Sequence, residues 1–518
     1  MKTENIKETF ELAFQNQKKN NFTLAEKLYK KILEKYPNHF QTVGLLGVLS
    51  LQTKNLEQAK QLFDKALKIN PKHSETHNNL GLVFKELEEP QQSIQCFQKA
   101  IEIEPNYAPA HNNLGMAFQE IGEHESAIKS FKKAIEAKPN YASAHNNLGL
   151  MFKKMGKHEN AISCYQKALE LNPTSIAAQK NISNIYSTRL DNLEKAINES
   201  HKTLRMHYDS AKFINQRISL YRLKHDVQQA EYLSLKNYKI NGSEQFQEIG
   251  NKILNHKKSK DYSDQTISLN KDEIKSLLPY YQAHHIYQTQ KISSGCINPD
   301  KNWLDVEKQY FDSPKQIIYI DNFLSNEAIK ELREFCLVSK IWNVEYLHNK
   351  YLGSFSESGF ISPIHLKIAT ELQQKLPKLF GKHNLDKFWG FKYDAVLGKG
   401  INIHADFALI NLNFWITPDK YNNNKNSGGL KVYDAAAPED WTYNRYNRYN
   451  RNNKEIHKFL SDKKANCINV PYKFNRAVLF NSAYFHETDK INFKDEYEAR
   501  RINITYLFGT RLIKKRIS

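Results

Sequence analysis

The chain has 518 residues, 40% of them hydrophobic and 25% charged, and it carries a formal charge of +19, which together describe several folded domains with substantial cores. Lysine is spread over the whole length without a zinc finger, a glycine-rich RNA loop or a basic recognition helix, so nucleic acid is not the expected partner. No apolar run reaches the roughly 18 residues of a membrane span, the amphipathic MKTENIKETFELAF is unlike a signal peptide, and five cysteines without a CxxC fit a reducing cytoplasm rather than a disulfide framework.

From the N-terminus the chain is periodic. Pro37, Pro71, Pro105, Pro139 and Pro173 are 34 residues apart, as are Gly47, Gly81, Gly115 and Gly149, with Ser183 in the next slot. Small residues (Ala25, Ala59, Ser93, Ala127, Ala161) are each followed four positions later by an aromatic (Tyr29, Phe63, Phe97, Phe131, Tyr165). The glycines and small residues mark where two helices of a pair approach closely, the aromatic packs against them, and proline stops the second helix. Units such as AHNNLGMAFQEIGEHESAIKSFKKAIEAKPN resemble tetratricopeptide repeats, which implies an all-α solenoid over about 5–245, its C-terminal helices degenerate, that binds protein or peptide. Asn79, Asn113, Asn147 and Asn181 keep the same interval. Stacking would align them, and an amide can donate to and accept from a peptide backbone. The series resembles the asparagine ladder of the protein O-linked N-acetylglucosamine transferases, which implies peptide capture; hydrogen bonding between the repeats' own helices is the competing reading.

The register is lost over 246–313, a polar and charged stretch expected to be a linker. Its His284-His285 pair is adjacent in sequence and so does not share a face, which argues against a metal role.

From 314 the pattern changes. QIIYIDNF predicts a strand and turn, SNEAIKELREFC a helix capped by Ser325, and ISPIHLKIATELQQKLPKLF another helix. FWGFKYDAV, INIHADFALINLNFWI, GGLKVYD, INVPYKFNRAVLFN and RRINITYLFG are strand-like, predicting a β-barrel or sandwich braced by helices. In a strand His404 and Asp406 point the same way, and His486 follows in a second apolar run. Two imidazoles and a carboxylate suit Fe(II), and also zinc or manganese. RINIT puts Arg501, Asn503 and Thr505 on one face; Arg501 can grip a carboxylate, and Thr505 can add a hydroxyl bond. TYNRYNRYNRNN, residues 442–453, reads either as a lid or basic aromatic groove or as a solvated loop.

Taken together, YIDNFL, KYDAVLGKGINIHADF, SGGL, NRAVLFNSAYFHE and RRINITYLFG resemble a prolyl-hydroxylase-like 2-oxoglutarate- and Fe(II)-dependent dioxygenase over about 314–515. The resemblance implies a double-stranded β-helix (jelly-roll) fold, an iron triad of His404, Asp406 and His486, Arg501 as the residue pairing with the cosubstrate's distal carboxylate, Thr505 as its polar neighbour, and Tyr393 at the pocket's edge. It further implies that 2-oxoglutarate and O2 are converted to succinate and CO2 while a substrate C–H becomes C–OH. The interval from His486 to Arg501, 15 residues, exceeds the family's usual one because INFKDEYEAR intervenes. The leading expectation is hydroxylation of a protein side chain recruited by the repeats. The alternatives are a small-molecule or saccharide oxygenase with a partner-binding array, and a non-catalytic scaffold.

Overall fold

The computed structural model describes residues 6–209, 217–256, 266–346, 350–397, 400–406, 408–439, 441 and 453–510. The chain divides into two compact units, Met1–Ala178 and Gln179–Ser518.

Among its described residues the first unit holds five helical hairpins. They are α1 (Ile6–Lys18) with α2 (Phe22–Lys35), α3 (Phe40–Gln52) with α4 (Leu56–Ile69), α5 (Ser74–Glu86) with α6 (Pro90–Ile103), α7 (Ala108–Glu120) with α8 (His124–Ala137), and α9 (Ala142–Lys154) with α10 (His158–Leu171). The periodic residues build each hairpin's interior. A Cβ placed on Gly47, Gly81, Gly115 or Gly149 would lie 2.7, 2.6, 2.6 or 2.7 Å from the ring of Phe63, Phe97, Phe131 or Tyr165. Those rings are at most 1% exposed, and each such burial contributes about 1.5–3 kcal/mol. The prolines sit two residues beyond α2, α4, α6, α8 and α10, where a residue without N–H cannot continue the helix. A further periodic contact ties hairpin to hairpin: the Nε2 atoms of His77, His111 and His145 donate to the carbonyls of Pro71, Pro105 and Pro139 at 2.9, 2.8 and 3.0 Å.

Helix α11 (Ile176–Thr188) spans the division between the units. The second unit continues with α12 (Leu193–Asp209), β1 (Arg217–Ser219), α13 (Leu220–Leu235), α14 (Ser243–His256), β2 (Thr266–Ser268), α15 (Lys271–Gln282) and α16 (Trp303–Asp312). The repeat array was expected to reach about 245 with degenerate C-terminal helices; the first compact unit ends at Ala178, and α12 and α13 belong to the second. The reason lies in what α12 and α13 bury. Ala196, Leu204, Tyr208, Tyr221 and Tyr232 share one core with Phe335, Phe360 and Ile364. Ser200 Oγ donates to Ser356 O at 2.6 Å and accepts from Gly359 N at 2.8 Å. Even the polar residues of α13 are inside: Arg222 and Tyr281 both donate to Asp226, at 2.5 and 3.0 Å. The segment expected to be a linker likewise carries α14, β2, α15 and α16, and Leu277, Tyr280, Tyr281 and Trp303 within it are buried. Part of its charged stretch, 257–265, lies outside the described residues.

The remaining elements are β3 (Ile317–Ile320), α17 (Asn326–Val338), β4 (Val344–Tyr346), β5 (Tyr351–Phe355), α18 (Pro363–Lys375), β6 (Leu385–Tyr393), β7 (Val396–Leu397), β8 (Ala408–Trp415), β9 (Leu430–Ala436), α19 (Asn453–Asp462), β10 (Cys467–Val470), β11 (Ala477–Asn481), β12 (Tyr484–Thr488), β13 (Ile491–Asn492) and β14 (Ile502–Thr510). Ser325 caps α17, accepting from Ala328 N. A seven-stranded antiparallel sheet runs in the order β3-β11-β8-β14-β6-β5-β4, and a three-stranded one in the order β10-β9-β12. Alternation along the strands separates two cores. Ile410, Leu412, Phe414, Ile502, Ile504, Tyr506 and Phe508 face the helices. Phe391, Tyr393, Trp415, Val478 and Phe480 pack with Leu430, Val432 and Val470 of the smaller sheet.

Two measurements check this description. Gly115→Val forces a side chain against Phe131 and is expected to destabilise the array by about 1–3 kcal/mol in denaturant melts; an unchanged midpoint would contradict the contact. Buried groups set a pH dependence for the second unit. Burial holds His201 at about 4, His365 at about 3 and Lys340 at about 7, Arg222 adding to the depression of Lys340. Each binds its proton more weakly when folded, so stability rises with pH between the folded and the ordinary values. Burial pushes Cys296 and Cys336 up to about 12, which has the opposite sign once unfolded thiols ionise near about 8.5. Thermal scans should show Tm rising from about pH 4 to about pH 8 and falling at higher pH, with Lys340→Met flattening the rise above about pH 7.

Candidate metal centre

Residues His404, Asp406 and His486 stand on the inner side of the small sheet. His486 is in β12, where it pairs with Val432 of β9. His404 precedes β8 and is not part of a continuous strand; a single antiparallel bridge joins it to His486, with N···O distances of 3.0 and 2.8 Å. The expected strand through the HAD sequence is therefore reduced to this bridge. Asp406 N donates to Ser482 O at 3.0 Å, while Ala405, between the two ligand candidates, packs with Phe485 and Ile403 on the opposite side.

One ligand atom from each of the three side chains lies within 4.8 Å of the others, and no other group of three or more such residues occurs among the described residues. Both imidazoles are held in one tautomer by a backbone carbonyl two residues before them. His404 Nδ1 donates to Asn402 O at 2.8 Å and His486 Nδ1 to Tyr484 O at 3.0 Å. Each Nε2 is left as a lone-pair donor, the arrangement that metal-binding histidines require. Burial, with His404 beside it, holds His486 well below the usual imidazole range. Burial also raises the Asp406 carboxyl, against the opposing effects of His404, Lys387 and Asn411. His486 Nε2 and Asp406 Oδ2, 3.5 Å apart, are thus a neutral ring beside a carboxyl rather than an ion pair. A divalent cation would reverse the cost of the carboxylate's charge.

Arg501 lies immediately before β14 and is 1% exposed. Its Nε donates to Gly428 O at 2.6 Å and an Nη to Gly429 O at 3.4 Å. Tyr393, Trp415 and Tyr472 surround it, with ring centres 4.8, 5.6 and 5.9 Å from the guanidinium carbon. It forms no ion pair among the described residues, and its Nη1 is buried without a hydrogen-bond partner. Two glycines make this seat. Gly428 has φ +84°, and a Cβ on Gly429 would lie 1.9 Å from Val470 O, so only glycine brings these carbonyls to Arg501. Gly429 is three residues from Val432, the partner of His486, or roughly 10 Å along the strand. Arg500 turns the other way, towards Gln228 and Asp394.

Tyr393 therefore borders the Arg501 seat. Thr505 lies on the same face, but its one hydroxyl hydrogen goes to Asn413 Oδ1 at 2.6 Å. Asn411 and Asn413 are inner-face residues that the sequence reading passed over, and they join Asn503. The signal was present: asparagines two apart in an otherwise apolar strand, INLNFW.

The repeat asparagines are half-buried and bonded across hairpins. Asn113 donates to Asn78 Oδ1 at 2.9 Å and Asn147 to Asn112 Oδ1 at 3.0 Å. Asn79 accepts from Asn78 at 3.4 Å, and Asn181 lies on α11 in the second unit. His284 meets Asp209 at 3.3 Å and His285 stacks edge-on to Tyr238. Of the 442–453 insertion only Asn453 is among the described residues; Arg445, Arg448 and Arg451 fall outside them.

Family models described as tetratricopeptide repeat match residues 18–80, 74–107, 96–129 and 142–175, and one described as TPR repeat matches 117–156. The N-terminal region is accordingly a tetratricopeptide repeat array, and such repeats imply protein–protein interaction. Among solved structures, the chain is similar to the MamA protein (27% identity, TM-score 0.29, covering 32% of this chain and 92% of that one). It is similar also to YrrB, described as a TPR protein with an unusual peptide-binding site (25% identity, TM-score 0.28, 33% and 88%). A third is a thermophilic TPR protein of Thermus thermophilus, TTC0263 (18% identity, TM-score 0.32, 35% and 97%). No curated protein matches the chain. Among the described residues no helix is long and apolar enough to cross a membrane.

Isothermal titration with Co(II) is expected to give one ion per chain. His486→Ala should remove it and His284→Ala should leave it unchanged; equal binding by both variants would place the ion elsewhere.

Proposed function

We propose that the second unit is a 2-oxoglutarate- and Fe(II)-dependent dioxygenase with a double-stranded β-helix core, and that it hydroxylates a side chain of a protein recruited by the repeat array. One observation carries the reading. Arg501 is a cation sealed from water, with carbonyls and aromatic rings around it and, among the described residues, no carboxylate in ion-pair contact, Asp489 acting on it only from farther away. A buried charge with no counter-charge in contact is unfavourable, so the seat fits an incoming anion. Gly429 directly precedes β9, whose Val432 pairs with His486, so the seat and the cluster are placed by one short segment.

His404, Asp406 and His486 would hold the iron, and their donor set, two neutral imidazoles and one carboxylate, suits Fe(II) with positions left open. When bound, the iron and 2-oxoglutarate supply the oxygen chemistry, decarboxylation to succinate coupled to insertion of oxygen into a C–H bond. The chain's part is placement. Asn402 and Tyr484 carbonyls fix the imidazole tautomers. Arg501 orients the cosubstrate through its distal carboxylate, and Tyr393, Trp415 and Tyr472 keep water from that contact. Recruitment of a protein substrate is supported by the repeats themselves. Asn113 and Asn147 each commit one amide hydrogen to the preceding repeat; an Asn amide has two, so one remains for a bound peptide.

The test is reconstitution with Fe(II) and 2-oxoglutarate under argon, followed by oxygen and quantitation of succinate. Slow succinate formation without added substrate is expected, abolished by His404→Ala. Arg501→Gln should raise the KM for 2-oxoglutarate about 10- to 100-fold, the worth of a charge-assisted bond of about 1.5–3 kcal/mol. Absence of succinate, together with no binding of 2-oxoglutarate to the Co(II)-loaded protein, would rule the reading out.

A further inference from the structure

Four buried polar side chains run in series from Asp406 across the inner face of β8 and β14. Asn411 Nδ2 donates to Asp406 Oδ2 at 2.7 Å, and Asn413 Nδ2 donates to Asn411 Oδ1. Asn413 Oδ1 accepts from Asn503 Nδ2 at 3.0 Å and from Thr505 Oγ1 at 2.6 Å, and Asn503 Nδ2 also reaches Thr505 Oγ1 at 3.1 Å. Exposure is 0% at Asn411 and no more than 5% at the other three.

The series has a direction. At every link the hydrogen lies on the side away from Asp406 and points towards it. An amide has its N–H at one end and its C=O at the other, so one amide cannot turn round without breaking the bond behind it. The hydrogens end on the carboxylate, and the unused oxygen, Asn503 Oδ1, is at the far end, buried without a partner. Asp406 Oδ2 is the oxygen that faces His486 Nε2, 3.5 Å away. With one lone pair held by Asn411, the other is available between the two ligands.

We propose that Asn411 is a positioning residue that aims the Asp406 carboxylate at a divalent ion shared with His404 and His486, and that Asn413, Asn503 and Thr505 keep Asn411 from rotating. This rests on the reading of His404, Asp406 and His486 as a metal site. Asn411 touches neither ion nor substrate; it acts through Asp406. Outer hydrogen bonds of this kind are typically worth 10- to 100-fold in metal affinity.

Co(II) affinity, read from the visible absorption of the full chain, separates this from a purely structural role. Asn411→Leu keeps the volume and removes the bond, and should weaken Co(II) binding about 10- to 100-fold. Thr505→Val keeps the shape and removes one link behind Asn413, and should weaken it by a smaller factor, with circular dichroism and Tm close to wild type. Should Asn411→Leu not fold, Thr505→Val and Asn413→Ser carry the test, and wild-type affinity in both overturns the proposal. Wild-type affinity in Asn411→Leu, while His404→Ala loses the ion, overturns the positioning role and leaves the metal site standing. No Co(II) binding by the wild type, or none that depends on His404, removes the metal site and the proposal together.

Discussion

A guanidinium closed off from water, with no carboxylate in ion-pair contact among the described residues, is the constraint on which the second unit turns. Left alone, Arg501 would be among the costliest groups in the chain, and burial accordingly lowers its proton affinity. Three features make its position tolerable. The Gly428 and Gly429 carbonyls are brought within bonding distance by a backbone that other residues could not adopt. The faces of Tyr393, Trp415 and Tyr472 offer their electron-rich surfaces. The third is the strand pairing that fixes all of them at once: Tyr393 N bonds Arg501 O, and Trp415 lies opposite Asn503.

The same period-two alternation distributes the rest of the chemistry. On β8 and β14, every residue facing the helices is apolar from Ile410 to Phe414 and from Ile502 to Phe508, and the polar residues between them face the smaller sheet. A shift of one residue in either strand would exchange the two sets. It would bury amides against the helices and take Arg501 from its glycine seat. The apolar core behind the sheet thus fixes the register that aligns the polar side chains in front of it.

The repeats were legible because their signal is redundant: proline, glycine, alanine and an aromatic recur together, and each has a separate steric role. The alternation of Asn503 and Thr505 along β14 was legible because strands alternate, whereas His404 and Asp406 lie outside a continuous strand. The division between the units was not. Arg222, His225, Asp226 and Gln229 give α13 the composition of a solvated helix, yet all four are buried because they satisfy one another and the backbone around Trp342 and Ser339. Satisfaction by distant partners leaves no local trace in a sequence. Asn411 and Asn413 were overlooked for a related reason, since an isolated asparagine in a strand reads as an edge or a turn until its opposite neighbours are known.

In the first unit, the glycine–aromatic contact is completed inside each hairpin, whereas the histidine–proline and asparagine–asparagine bonds link a hairpin only to the one before it. No bond in either set reaches past its neighbour. The array therefore has no preferred number of members built into its joints, and gain or loss of a whole 34-residue segment would leave every remaining joint chemically complete. The length of surface offered to a partner can change in steps of one hairpin, a freedom denied to the sheets, where each inner strand is bonded on both sides.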